Sequence, residues 1–134
     1  DKDFQNLWVS DPNKRSEWNE GNQLRKDGVD IYKDNNQYYV GKTEAGEWSQ
    51  FTVNNKIAKN YTVTLKYANP NKTSKVKLVT DSGEELGTID LPTTGSYTKW
   101  QTAIAKNIKL KKGENKIRIF FFFFGVNLEY FEIK

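Results

Sequence analysis

Residues Tyr61 to Ala68 read YTVTLKYA, and this stretch decides the fold class of the chain. Its large apolar residues alternate with polar ones, a period of two that is typical of a β-strand with one buried face. Asn69-Pro70-Asn71 follows at once, and a proline between two asparagines ends a strand and favours a turn. Similar short runs recur along the chain, whereas helical periodicity is almost absent.

The segments on either side predict further antiparallel strands. Lys75 to Thr80 and Glu85 to Leu91 flank the turn Asp81-Ser82-Gly83 and predict a hairpin. Lys99 to Leu110 predicts a long strand, or a strand with a bulge. Other strands are predicted at 4–9, 47–53, 116–124 and 127–133, with residues 10–26 as a loop. About nine or ten short strands without a repeat or a linker predict an all-β fold, an antiparallel β-sandwich, in a single domain over residues 1–134.

Two C-terminal strands carry predictions about their faces. In 127–133, alternation places Leu128, Tyr130 and Glu132 on one face and Glu129, Phe131 and Ile133 on the other. In 116–124, it places Phe121 and Phe123 with Ile117 and Ile119, and places Phe120, Phe122 and Phe124 with Arg118. One face of this phenylalanine run is expected in the core. The other is expected either under a loop or as an aromatic surface for a flat ligand.

The composition excludes several kinds of chemistry. The 134 residues include no cysteine, histidine or methionine, so a histidine-dependent nucleophile, a thiolate zinc site and a disulfide are all excluded. Carboxylate, lysine and tyrosine chemistry remain, with oxygen-ligated metals such as calcium. Glu44 and Glu47 are the candidate carboxylate pair of a glycosidase or lyase. Two acids three residues apart at the start of a strand are more simply solvated charges, so we expect no enzyme.

The charge distribution argues against nucleic acid and membrane partners. The chain has 21 Lys and Arg against 17 Asp and Glu, a net charge of +4, but the basic residues are mostly scattered lysines beside acids, without an arginine cluster. The longest apolar run, Ile119 to Phe124, is far short of the roughly 20 residues that span a bilayer. The chain starts at Asp1 without an apolar leader, so we expect a soluble domain, already processed or excised from something longer.

Three segments, taken in order, resemble carbohydrate-binding module family 6. They are Val40 to Trp48 (VGKTEAGEW), Leu91 to Thr102 (LPTTGSYTKWQT) and Gly125 to Ile133 (GVNLEYFEI), within a similarity that spans roughly 27–134. The resemblance implies a jelly-roll β-sandwich that binds polysaccharide and performs no catalysis. It also implies a parent catalytic domain in the same polypeptide and a secreted or cell-surface location.

The ligand class is suggested by one further segment. Asp27 to Ile31 (DGVDI) is similar to a segment found upstream in members attached to enzymes that act on marine polysaccharides. A marine galactan of the agarose or porphyran type, neutral or sulfated, is therefore the first expectation. A xylan or β-glucan is the alternative, and a structural or adhesion sandwich without a sugar ligand is another.

The resemblance also assigns candidate ligand-binding residues. In the family, two aromatic rings in the loops at one end hold a sugar and an asparagine hydrogen-bonds its hydroxyls. Tyr97 stands at one aromatic position and Asn127 at the asparagine, while Trp100 matches a second tryptophan that we expect in the core. The alternatives are that Tyr97 packs on its own turn and that Asn127 caps the turn at Gly125.

Lys42 occupies the other aromatic position. A lysine ammonium cannot stack on a sugar, but it donates up to three hydrogen bonds and pairs with anions. Either Tyr39, or its neighbours Tyr38 and Tyr32, supply the stacking, or the ligand is negatively charged. The remaining alternative is that Lys42 is merely solvated.

No cofactor is expected with certainty, and the metal ligands are unknown. The family often carries a structural calcium ion, for which Glu129 and Asp3 are the candidate ligands. The acidic N-terminal segment usual for that site is replaced here by Phe4-Gln5-Asn6-Leu7-Trp8.

Overall fold

The computed structural model describes residues 4–5, 31–41 and 43–134, which form ten β-strands and no helix. The strands belong to two antiparallel five-stranded sheets, ordered β1-β4-β9-β6-β7 and β2-β3-β10-β5-β8. The predicted antiparallel β-sandwich is therefore confirmed. The strands are β1 (Phe4–Gln5), β2 (Ile31–Asp34), β3 (Gln37–Val40), β4 (Trp48–Asn55), β5 (Lys59–Ala68), β6 (Ser74–Thr80), β7 (Glu85–Leu91), β8 (Gln101–Leu110), β9 (Gly113–Phe121) and β10 (Asn127–Ile133).

The core lies between the two sheets and follows the alternation read from the sequence. Val63, Leu65 and Tyr67 project from β5 of one sheet and are at most 1% exposed. They face the equally buried side chains of the other sheet, which include Ile117 and Ile119 of β9. Burying a large apolar side chain stabilises a fold by roughly 1.5–3 kcal/mol, so these strands hold the sandwich together.

The central hairpin and the bulge are both confirmed. β6 and β7 pair antiparallel across the turn at residues 81–84. In β8, Lys106 and Asn107 lie opposite the single residue Thr62 of β5, and Asn107 takes a positive φ of 61°. Asparagine tolerates this left-handed conformation, which lets the extra residue fit within the strand.

The phenylalanine run departs from its predicted path, because β9 ends at Phe121 rather than Phe124. The Phe121 N–H donates to the Glu47 carbonyl at 2.8 Å, and the Phe122 N–H donates to the Lys75 carbonyl at 3.2 Å. The chain then turns towards Gly125. Phe123 was expected to share a face with Phe121, Ile117 and Ile119. Those three are buried, whereas Phe123 is 54% exposed, so the prediction that they share a face is wrong.

A bulge also changes the phase of β10. The register shifts between Leu128 and Tyr130, which leaves Glu129 outside the regular pairing. Leu128 therefore packs in the core, and Phe131 and Ile133 pack against the same core cluster. The prediction that Leu128 and Tyr130 share a face is wrong, because alternation counted along the chain does not register an extra residue.

Part of the predicted N-terminal organisation falls on residues that the structure does not describe. β1 confirms strand backbone at Phe4–Gln5, within the predicted strand at 4–9. The rest of that strand, the predicted loop at 10–26 and residues 27–30 of the DGVDI segment lie outside the described residues. No helix in the described part of the chain is long and apolar enough to cross a membrane.

Candidate functional site

One wall of the candidate site is the hairpin formed by β2 and β3. Its turn residues, Asn35 and Asn36, have φ values of +46° and +64°. Positive φ at both central residues is the type I′ geometry that two-residue hairpins favour, and asparagine accepts it readily. The turn sets Tyr32 opposite Tyr39, and their rings stack with centroids 5.6 Å apart and planes at 21°.

The tyrosine pair is supported from two directions. The Trp100 ring meets Tyr39 edge to face, with centroids 5.2 Å apart. Trp100 is only partly buried and lies outside the main core cluster, so its predicted core position is wrong. Gly41 lies against Tyr32 so closely that a Cβ there would come within 2.8 Å of the ring. Glycine at position 41 therefore lets the Tyr32 ring approach the backbone.

A second wall is the loop between β7 and β8, which carries Tyr97. The fully buried Asn69, directly after β5, holds this loop to the body of the sandwich. Its backbone N–H donates to Thr94 Oγ1 at 3.0 Å, and its carbonyl accepts from the Thr94 N–H at 2.8 Å. The Asn69 amide also donates to the Leu91 carbonyl at 3.0 Å. Tyr97 is 54% exposed on this loop, so its ring is accessible to a ligand.

The floor of the site joins residues that are distant in sequence. Thr43 Oγ1 donates to the Val126 carbonyl at 2.6 Å, and the Gly125 N–H donates to the Thr43 carbonyl at 2.7 Å. Asn127 is only 4% exposed, and its Nδ2 donates to the Tyr97 carbonyl at 2.8 Å. Asn127 therefore fixes the Tyr97 loop rather than capping the Gly125 turn through that amide.

These elements enclose an open cleft of about 650 Å³. This volume lies within the range of about 300–1,000 Å³ that is usual for ligand sites. The exposed Glu44 supplies a carboxylate at the edge of the cleft. Its lining consists of Tyr32, Tyr39, Thr43, Glu44, Tyr97, Phe124, Gly125 and Asn127.

Burial, with a smaller contribution from the Asp34 carboxylate, raises the pKa of Tyr39 above its usual value of 10.0. Its hydroxyl therefore stays protonated at neutral pH and can donate a hydrogen bond. The aromatic faces and the polar groups of the cleft are together suited to a ligand with both C–H surfaces and hydroxyls.

The structure brings together three of the four predicted binding residues. Tyr97, Asn127 and Tyr39 all line the cleft, as does Tyr32. The fourth, Lys42, lies outside the described residues. Tyr38 pairs with Lys33 on the opposite face of the hairpin, and the Lys33 ammonium lies 5.6 Å from its ring centroid.

Sequence reasoning missed Phe124 as a residue of this cleft, although it noted the unusual phenylalanine run. It also missed Thr43, because nothing in the sequence pairs Thr43 with the backbone of residues 125 and 126. For Glu44, the sequence suggests a catalytic acid or a solvated charge, and not a residue that lines a binding cleft. The residues near Thr43 and Gly125 meet through tertiary hydrogen bonds, which a local pattern does not reveal.

The two acids considered for catalysis have different surroundings. Glu47 is only 4% exposed, and its Oε2 accepts the Glu44 N–H at 2.8 Å. The expectation that both acids are solvated is therefore wrong for Glu47, which holds the turn before β4. Glu44 alone of the two reaches the cleft.

Glu129, a candidate calcium ligand, has a different partner here. Its Oε2 lies 2.9 Å from the Lys66 ammonium, and its side chain is 9% exposed. The second candidate, Asp3, lies outside the described residues. The described part of the chain contains no group of three or more acidic residues that could hold a metal ion. A lysine in contact with the carboxylate does not fit a calcium site there.

A second cavity, of about 490 Å³, lies at the opposite end of β9. Its described lining has charges of both signs, including Asp81, Lys111 and Glu114, but no aromatic ring. Because sugar rings are held by stacking as well as by hydrogen bonds, this cavity is less suited to a glycan than the tyrosine-lined cleft.

Comparisons with known proteins agree with the fold and the motifs. A family model described as carbohydrate binding module (family 6) matches residues 21–134. No curated protein sequence matches the chain.

Several solved structures are similar. A family 6 module from Clostridium stercorarium, solved with cellobiose, has a TM-score of 0.70 and 21% identity, covering 79% of this chain and 81% of its own. A module of Cellvibrio mixtus lichenase 5A, solved with cellotriose, has a TM-score of 0.70 and 24% identity over 79% and 84%. The C-terminal module of a marine laminarinase from Zobellia galactanivorans has a TM-score of 0.73 and 19% identity over 79% and 87%. Because the family model covers most of the sequence, the chain belongs to carbohydrate-binding module family 6, whose members bind carbohydrate and are not catalytic.

Proposed function

We propose that the cleft binds a pyranose ring of a neutral marine galactan of the agarose type, and that the module thereby holds a secreted parent glycoside hydrolase on its polysaccharide. The observation that carries the proposal is the convergence of Tyr97, the Tyr32–Tyr39 pair and Asn127 on one cleft. Two of the similar structures are modules of a lichenase and a laminarinase, which supports the association with a parent enzyme.

The aromatic rings argue for stacking as the main source of affinity. Of the alternatives for position 42, the cleft lining favours the one in which neighbouring tyrosines supply the stacking. Tyr39 and Tyr32 line the cleft, and Tyr97 presents an accessible ring on another loop. Contacts between an aromatic face and C–H groups do not require a charged ligand.

The charge of the described lining favours a neutral sugar over a sulfated one. Glu44 is the charged side chain that the described residues contribute to the cleft, and it is a carboxylate. A sulfate beside Glu44 would be repelled, whereas sugar hydroxyls can donate hydrogen bonds to it. The net charge of +4 acts over a longer range and is screened by salt.

The choice of a galactan rests on sequence and on sugar geometry. The DGVDI segment at 27–31 is similar to segments found with enzymes that act on marine polysaccharides. Galactose has an axial 4-hydroxyl, so one face of its ring is richer in C–H groups and the other is more polar. Aromatic rings together with the Glu44 carboxylate match both kinds of surface.

Affinity electrophoresis tests this proposal. The module with its unchanged sequence, called the parent protein below, is run beside its variants Tyr97→Ala and Tyr130→Ala. The gels contain agarose, porphyran, carrageenan, xylan or β-glucan, at low and high salt. Tyr130 is the matched control, because it is 40% exposed but does not line the cleft. We expect agarose to retard the parent protein and Tyr130→Ala equally at both salt concentrations. Tyr97→Ala should lose most of the retardation.

Several results would contradict the proposal. Retardation by porphyran or carrageenan alone that weakens with salt would indicate an anionic ligand and a direct role for Lys42. A preference for xylan or β-glucan would refute the galactan assignment. If Tyr97→Ala were retarded as strongly as the parent protein, this cleft would be excluded as the glycan-binding site. If no glycan retarded the parent protein, a structural or adhesion role would be favoured.

A further inference from the structure

The turn between β9 and β10 exposes three consecutive phenylalanines. Phe122, Phe123 and Phe124 are 38%, 54% and 63% exposed. Phe122 has packing partners, since its ring meets Phe120 edge to face at 6.0 Å and the Lys77 ammonium lies 5.5 Å from it. A contiguous exposed apolar patch on a soluble domain commonly marks an interaction site.

The backbone of this turn is held in place at the peptide group that joins Phe124 to Gly125. The Phe124 carbonyl accepts a hydrogen bond from Asn71 Nδ2 at 3.2 Å. Gly125, with φ +82°, donates its N–H to the Thr43 carbonyl at 2.7 Å. A fixed backbone means that a ligand need not order the turn when it binds, which lowers the entropic cost.

Phe124 is the member of the run that reaches the tyrosine-lined cleft. The residue after Phe124 lies close to Tyr97, because a Cβ on Gly125 would lie 3.8 Å from Tyr97 Oη. The hydroxyl end of Tyr97 therefore points to the backbone beside Phe124. At about 650 Å³, the cleft lies in the size range of sites for drug-sized ligands, which are larger than a single sugar ring.

We propose that Phe124 is a second stacking surface, which binds the sugar residue next to the one held at the tyrosines. This inference rests on the proposed function of the cleft and adds that the site recognises at least two consecutive residues of a polysaccharide. The most exposed ring of the turn then has a partner, since a sugar presents C–H groups to its face. The affinity of the module should accordingly rise with chain length.

Calorimetric titration with defined oligosaccharides tests the proposal. Neoagaro-oligosaccharides and cello-oligosaccharides of two, four and six units are titrated into the parent protein, Phe124→Ala, Phe124→Trp and Phe123→Ala. Phe123 is the matched control, because it is exposed on the same turn but does not line the cleft. Thermal melting of each variant checks that the fold is retained, as expected for exposed side chains.

For the parent protein, we expect at least tenfold tighter binding of the hexasaccharide than of the disaccharide. Phe124→Ala should lose about tenfold in affinity for the hexasaccharide, equivalent to about 1.4 kcal/mol, and little for the disaccharide. Phe124→Trp should retain the gain with length, and Phe123→Ala should match the parent protein.

Three results would overturn the inference. Equal affinity of Phe124→Ala and the parent protein for every length would show that the ring does not touch the ligand. Equal losses for short and long oligosaccharides would place Phe124 in the first subsite. An equal effect of Phe123→Ala would indicate a general loss of apolar surface.

Failure of the proposed function gives a different pattern. If only cello-oligosaccharides bind and their gain with length depends on Phe124, the galactan is refuted and the second stacking surface is supported. If the parent protein binds neither series at any length, both proposals are refuted.

Discussion

Replacing Asn69 with alanine should destabilise the module by about 3 kcal/mol. Its side chain is fully buried and makes three hydrogen bonds. Nδ2 donates to the Lys72 carbonyl at 2.9 Å and the Leu91 carbonyl at 3.0 Å, and Oδ1 accepts from the Asn71 N–H at 3.1 Å.

The magnitude follows from the groups that lose a partner. Each net intramolecular hydrogen bond contributes roughly 1 kcal/mol, and a buried group left without one costs roughly 1–3 kcal/mol. Three lost bonds therefore give about 3 kcal/mol, a large share of the roughly 5–15 kcal/mol that keeps a domain folded. Because the Asn69 amide also donates to the Leu91 carbonyl, where the loop that carries Tyr97 begins, glycan affinity should fall as well.

Urea denaturation followed by tryptophan fluorescence measures the free energy of unfolding. Asn54→Ala is the control, since Asn54 is an exposed asparagine on β4, and it should change stability by less than about 0.5 kcal/mol. A loss of less than about 1 kcal/mol in Asn69→Ala would refute the reasoning. It would show that water or a local rearrangement satisfies the three groups.

Three further predictions concern other contacts. Lys66→Met should lower the free energy of unfolding by about 2 kcal/mol in urea denaturation. The substitution removes the ammonium that lies 2.9 Å from the largely buried Glu129 carboxylate. An unchanged urea midpoint would contradict this stabilising role of Lys66. Gly41→Ala should weaken glycan binding about tenfold in calorimetry. The added Cβ would come within 2.8 Å of the Tyr32 ring and displace that ring from Tyr39. Unchanged affinity would exclude the Tyr32–Tyr39 pair from the glycan-binding site. Burial raises the pKa of Tyr67 above 10.0, so its contribution to stability is complete below pH 10 and is lost as the pH rises further, since the unfolded chain releases that proton first. Tyr67→Phe should lower the free energy of unfolding by about 1 kcal/mol at pH 7, because it removes the 3.0 Å hydrogen bond to the Pro92 carbonyl. In urea denaturation, the stability of this variant should also decline less steeply above pH 10. An identical decline would refute the role of Tyr67 in the pH dependence.

Alternation of apolar and polar residues was sufficient to predict the strands of the core. Glu85–Leu91 and Asn127–Ile133 form strands with the predicted bounds, and β5 extends the predicted strand at its start. Such strands bury one face along their whole length, so the sequence carries the period directly. The bulge at Glu129 was not predictable in this way, because it adds a residue whose effect depends on the neighbouring strand.

The candidate site was predictable where motifs mark it, and not where tertiary contacts build it. The family resemblance points to Tyr97 and Asn127 as binding residues, and both line the cleft. The Tyr32–Tyr39 stack depends on a two-residue turn in a region whose strands went unpredicted. The sequence predicts Phe124 within a strand, because nothing local shows that the chain beside it bonds to Asn71 and Thr43 instead of continuing the sheet.

The glycan is proposed to bind in the tyrosine-lined cleft. Two-dimensional ¹H–¹⁵N NMR of the labelled module during titration with neoagarohexaose tests this most directly, because each backbone amide reports its own surroundings. We predict that the largest shift changes occur at Tyr39, Tyr97 and Gly125, which line the cleft. Changes confined to Asp81 and Lys111, at the cavity on the opposite end of the sandwich, would contradict the claim.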